Sequence, residues 1–193
     1  MTPALVLVGA DLKRPGAFED VRRAVLAQEP WACRSLYDSY AGRVLGYLRA
    51  QGASEPEDLT SEVFLRVFDR FPQFTGDEPN FRSWLFTIAH RVLIDDARRR
   101  QRRPQTTALD VDVESSTIGD VEHEALANVG AEWADELLSS LPPDQRAVVA
   151  LRVTADLSLE QVAQLLDKRV GAVKALQHRA LASLRRRCED VPA

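Results

Sequence analysis

Five arginines crowd into six positions, Arg98, Arg99, Arg100, Arg102 and Arg103, at the end of a segment with helical periodicity. Cations at a helix C-terminus suit the helix dipole, but five exceed what capping needs. An amphipathic helix with aromatics that runs into such a cluster forms a surface for a polyanion. Catalysis is a poor fit. Asp95 and Asp96, or Glu57, Asp58 and Glu62, are carboxylate groups on helices. No histidine stands beside them at ligand spacing. The three histidines and two cysteines, Cys33 and Cys188, are scattered, with no CxxC. Neither a zinc site nor a disulfide framework is expected, and the chain reads as a non-enzyme that needs no cofactor.

The elements that position the arginines read as two helices. Pro56 is pre-set for a first helical turn, and Glu57 and Asp58 follow where the dipole favours acids. Leu59, Val63, Val67 and Phe71 recur every four residues as one buried stripe, which Phe64 and Phe68 widen. Asp58, Glu62, Arg66 and Asp69 fall on the other side. Pro72 ends this helix and QFTGDEP makes a turn. The second helix carries Phe81, Leu85, Ile88 and Val92 at helical spacing. Upstream, residues 1–16 hold no sustained pattern and predict a loose N-terminus. Phe18, Val21, Val25 and Leu26 predict a short helix. Pro30–Tyr40 predicts another, with Trp31, Leu36 and Tyr40 inward; Val44, Leu45 and Leu48 predict a third or a continuation, ending at Gly52.

The net charge of −4 over 193 residues hides a division. Residues 104–136 hold nine acids and no Lys or Arg; removing those nine negative charges from −4 leaves +5 for the rest. Residues 104–130 have few large apolar groups and no period, and read as an acidic flexible linker. Their 27 residues span about 90 Å when stretched and roughly 30 Å as a coil. Beyond them, Trp133, Leu137, Leu138 and Leu141 predict a short helix stopped by Pro142 and Pro143, and Arg146–Val153 predicts the next. Ser158 and Gln161 form a capping-box pattern. A short helix follows, with Leu159, Val162 and Leu166 inward, then a tight turn at Asp167-Lys168-Arg169. A longer helix starts at Val170, with Val173, Leu176, Ala180 and Leu184 inward. This is the helix-turn-helix plan. Its outward Lys174, Gln177, His178 and Arg185 are types that contact phosphates and base edges. The expected fold is all-α: two small helical domains, residues 17–103 and 131–193, the second a helix-turn-helix.

DLTSEVFLRVF followed by FRSWLFTIAHRVLIDDARRR resembles region 2 of the extracytoplasmic-function (ECF) sigma factors of bacterial RNA polymerase. LSSLPPDQRAVVALRVTADLSLEQVAQLLDKRVGAVKALQHRALASLRRR resembles region 4 of the same family. Either motif alone is moderate evidence, because helix-turn-helix units are widespread; both in this order, across an acidic linker, are specific. The resemblance implies binding to core RNA polymerase, through the β′ clamp helices and the β flap, and to promoter DNA, with an anti-sigma factor as a further partner. It places Asp58, Glu62, Leu65, Arg66 and Asp69 on the clamp helices. It places Phe74, Asn80, Trp84, His90, Arg91, Arg98 and Arg99 at the minus-ten element, where a flipped base is trapped and Phe74 is a stacking candidate. Trp84, at helical spacing from Phe81 and Ile88, also fits the core. It places Arg169, Lys174, Gln177, His178 and Arg185 at the minus-thirty-five element.

The chain departs from the family pattern at Ser61 for Gln, Arg91 for Asn, Asp167 for the turn Gly and Arg169 for the capping Ser. Ala175 and Leu176 stand where polar base-reading residues are usual. Asp167 is expected either to take the left-handed conformation or to cap the following helix. No apolar run approaches the roughly 20 residues of a membrane span, and LVLV near the start lacks the length and basic flank of a signal peptide; a cytoplasmic protein is expected. Two other readings fit the residues: a helix-turn-helix regulator that never engages polymerase, and a sigma-like decoy that binds partners without melting DNA.

Overall fold

The computed structural model describes residues 17–102 and 136–189, and all regular structure among them is helical. The helices are α1 (Ala17–Leu26), α2 (Pro30–Ala50), α3 (Pro56–Arg70), α4 (Glu78–Arg102), α5 (Pro143–Val153), α6 (Leu159–Leu165) and α7 (Val170–Glu189). Residues 136–139 add one helical turn before α5. The expected N-terminal segment and acidic linker lie outside the described residues.

In α3, Pro56 stands in the first turn with Glu57 and Asp58 behind it, and Leu59, Val63, Phe64 and Val67 are buried. A 3-10 turn at Phe71–Gln73 follows, as Pro72 requires. α4 then opens at Asp77, whose Oδ1 accepts from the amide of Asn80 at 3.0 Å. With 25 residues, α4 is about 37 Å long. Phe81, Leu85, Ile88 and Val92 lie inward.

One alternative is settled, the continuation of the second helix, and two expectations are corrected. Residues 30–50 form one helix, because Leu36, Tyr40, Val44, Tyr47 and Leu48 hold a single buried stripe across Gly42 and Gly46; that burial outweighs roughly 1 kcal/mol of helix propensity lost at each glycine. Trp31, expected inward, is 41% exposed in the first turn of α2. α5 begins at Pro143, three residues earlier than the apolar pattern implies. A proline without an amide hydrogen is at home in a first helical turn, so Pro143 starts this helix as well as closing the segment before it.

The first four helices close around an aromatic cluster. Phe81 lies 5.2–6.0 Å, centroid to centroid, from Phe18, Tyr40, Phe71, Phe74 and Trp84, in edge-on and tilted arrangements that suit aromatic quadrupoles. The last three helices pack on Val148, Leu151, Leu157, Val162 and Val173. These residues join the first group in one continuous apolar cluster, with α5 against α2 and α6 against α4.

Candidate functional site

Three surfaces carry the residues singled out above. The first is the outer face of α3. Asp58 and Asp69 are exposed, and Leu65 stands 71% exposed between them while its helix neighbours Phe64 and Val67 are buried. Glu62 accepts from Arg66 and, at 3.2 Å, from Arg99 of α4. Arg66 also reaches Asp95 at 3.5 Å. Arg100 Nε lies 2.9 Å from Asp96. A groove of about 550 Å³ runs along this seam, lined by Asp58, Glu62, Asp96, Arg99 and Arg100 among others. Part of the arginine cluster therefore ties α4 to α3 and gives the first surface its mixed charge.

The second surface is the α3–α4 loop and the outer side of α4. Gly76 has φ +140°, and a Cβ there would come within 2.9 Å of Asn80 Cβ, so the loop folds tightly back on α4. Asn80, Arg91 and Arg98 are exposed. Phe74 is turned inward, 8% exposed, with its ring 5.1 Å from that of Trp84 and at 33° to it. Both rings are engaged in the aromatic cluster, Phe74 buried and Trp84 half-buried against it. The Nδ1 of His90 lies 2.8 Å from the hydroxyl of Tyr47. Burial holds the imidazole below its ordinary pKa and pushes the phenol of Tyr47 up. His90 thus faces α2 as a neutral ring.

The third surface belongs to the helix-turn-helix. Ser158 caps α6 and Gln161 returns the bond to its amide, so the capping box is complete. Asp167 takes the left-handed conformation with φ +51°, which makes the tight turn, and Lys168 pairs with Asp144 of α5 at 2.9 Å. α7 then presents Arg169, Lys174, His178 and Arg185 exposed and Gln177 half-buried, with Gly171, Ala172 and Ala175 exposed beside them. Small side chains there leave room for a close approach of the helix backbone.

Sequence reasoning missed Arg82. Its side chain, 18% exposed, donates to Asp156 at 2.8 Å. The partner lies 74 positions away in a turn with no periodic pattern, so no local signal could mark the pair. Among the described residues no group of His, Cys, Asp or Glu is arranged to hold a metal ion, and no helix is long and apolar enough to cross a membrane.

A helical arrangement with a cationic α4 and a helix-turn-helix beyond it in the sequence is that of a sigma-70 type initiation factor, and the family comparisons agree. Sigma-70 region 2 matches residues 36–103 and Sigma-70, region 4 matches residues 131–184. The chain is 34% identical over 189 residues to the ECF RNA polymerase sigma factor BldN of Streptomyces coelicolor, covering 92% of this chain and 70% of that one. Among solved structures, CnrH in complex with the cytosolic domain of CnrY shares the fold with a TM-score of 0.63 at 20% identity, over 90% of this chain and 99% of that one. The sigma factor RpoE of Bartonella quintana, in complex with the anti-sigma factor NepR, does so with 0.58 at 17% identity, over 82% and 98%. The chain belongs to the extracytoplasmic-function family of RNA polymerase sigma factors, and its role is that of an alternative sigma factor.

Proposed function

We propose that this chain docks on core RNA polymerase through α3, brings it to promoters with minus-ten and minus-thirty-five elements, and helps open the duplex. In this reading residues 17–103 and 131–193 act as the two DNA-binding domains and 104–130 as the tether between them. The observation that carries it is Leu65: a large apolar side chain, 71% exposed, amid Asp58, Glu62, Arg66 and Asp69. An apolar centre with a charged rim suits a protein partner, and a regulator that only binds duplex DNA has no use for it. The β′ clamp helices are the partner for this face, and the β flap is the partner for the helix-turn-helix domain.

Asn80, Arg91, Arg98 and Arg99 then face the minus-ten strand. Phe74 and Trp84 shape the loop from below, and His90 braces α4 against α2. Arg169, Lys174, Gln177, His178 and Arg185 face the minus-thirty-five duplex. An anti-sigma factor is a further partner, as RpoE has in NepR. Run-off transcription with purified core polymerase, on fragments that include the region upstream of this chain's own gene, tests the reading. Specific transcripts are expected, and Asp58→Ala with Glu62→Ala should remove them together with core binding. Core binding without a transcript would point to the decoy, and neither would point to the plain helix-turn-helix regulator.

A further inference from the structure

A hollow of about 390 Å³ opens between α2 and α3, lined by Cys33, Arg34, Tyr37 and Asp38 of α2 and by Phe68 of α3. Tyr37 is 40% exposed. Its ring lies 4.8 Å from that of Phe64, which lies 5.9 Å from that of Phe68. Cys33 and Phe68 are half-buried against the core. Arg34 and Asp38 pair with each other at 3.6 Å on the exposed rim. Leu65 stands three residues before Phe68, so the two are neighbours on the surface of α3. The hollow is therefore continuous with the apolar centre of the docking face. We propose that the polymerase interface runs from Leu65 across Phe68 onto α2, where the hollow receives a large apolar side chain of the β′ clamp helices and Tyr37 is its anchor. The inference rests on the sigma-factor reading given above and extends its docking face from one helix to two.

Three features point to this occupant. The first is size. A stable protein interface buries about 800 Å² on each partner and engages about 20–30 residues a side. The outer face of α3 alone is too narrow for that, and a partner seated on Leu65 must cover a neighbouring helix as well. The second is contiguity. Single exposed apolar side chains are ordinary on a protein surface, but Leu65, Phe68, Tyr37 and Cys33 adjoin one another, and such a patch marks an interaction site. The third is charge. Around the apolar centre stand Asp69, which is exposed, and the mutually paired Arg34 and Asp38. That rim offers a polyanion no net attraction and suits a protein partner. A tyrosine beside a pocket is the kind of residue that carries much of the energy of such an interface.

The test keeps Cys33 as the only cysteine (Cys188→Ser) and attaches a bulky maleimide to it, which fills the hollow. Binding to immobilised core polymerase should weaken at least about ten-fold, and bound core should slow the alkylation of Cys33 at least about ten-fold. The adduct should unfold at the temperature of its parent, which separates a blocked surface from a damaged fold. As a second variant, Tyr37→Ala removes the anchor without adding bulk and should weaken core binding by about ten-fold or more. An adduct that binds core as its parent does, or a Tyr37→Ala variant that does, would overturn the proposal. If the adduct instead changed the oligomeric state of the chain, the occupant would be a second copy. Core binding by the unlabelled parent, and its loss with Asp58→Ala plus Glu62→Ala, reads the sigma-factor docking separately. A chain that docks on core and ignores the adduct fails here alone.

Discussion

The hydroxyl of Tyr47 and Nδ1 of His90 lie 2.8 Å apart and tie the middle of α2 to α4. With the hydroxyl as donor, the neutral ring carries its proton on Nε2. Because burial lowers the pKa of His90 from its ordinary 6.5, the unfolded chain takes up this proton at a higher pH than the folded one. Stability is therefore full above about 6.5 and falls as pH drops below it toward the lowered folded value. Urea unfolding at several pH values between about 5 and 8 should show this slope. His90→Gln should flatten it.

Phe81 is the hub of the aromatic cluster and fully buried. Phe81→Ala removes contacts to rings from α1, α2, the 3-10 turn and α4 at once. The expected loss is about 3–5 kcal/mol of unfolding free energy, read by denaturant titration. Minus-ten binding should fall with it, since Asn80 is the preceding residue.

Asp167 makes the turn of the helix-turn-helix at φ +51°. Glycine has no Cβ penalty there, so Asp167→Gly should raise stability by about 0.5–1 kcal/mol, and Asp167→Ala should lower it by about 1 kcal/mol. Thermal unfolding measures both. Duplex affinity should change little with glycine, because α7 keeps its start.

Ser158 supports the seven residues of α6 through a complete capping box. A helix this short depends on its cap. Ser158→Ala should cost about 1 kcal/mol, and amide hydrogen exchange at Val162 and Ala163 should quicken ahead of that in α7.

Removing an exposed cation from the proposed DNA surfaces should weaken the salt dependence of binding. Lys174→Ala and Arg98→Ala should each reduce the slope of log K against log salt by about 0.9 if they neutralise one phosphate. Arg100→Ala should reduce it less, because Arg100 is already paired with Asp96.

Much of this fold can be read from the chain because periodicity survives in it. The four-residue repeat from Leu59 to Phe71 marks the buried face of α3, and Ser158 with Gln161 marks the start of α6 to the residue. Tertiary packing decided the rest. Val44, Leu45 and Leu48 leave a third helix or a continuation open, and the buried stripe from Leu36 to Leu48 makes it a continuation. Trp31 looks like an anchor by type but stands 41% exposed in the first turn of its helix. Of the candidate site, Lys174 and Arg185 lie outward as their spacing requires, and Asn80, placed by the resemblance, is exposed. Phe74 lies inward and Trp84 half-buried because both pack with Phe81 in one cluster of six rings. Arg82 was illegible: its partner is supplied by another part of the chain, and no periodicity links residues 82 and 156.

The apolar cluster that runs from Phe18 through Leu36 and Phe81 to Leu151 and Val173 has a consequence for modularity. Helix-turn-helix units look interchangeable, and exchanging one for another invites a simple recoding of which promoters are served. Here a transplanted unit would also need small and apolar partners for α2 and α4 at the positions of Ala155, Leu157 and Ala163. A chimera matched only on its recognition helix would read new DNA while exposing part of an inherited interior. The grafting boundary that respects this chain follows the seam between α2 and α5 as well as the linker.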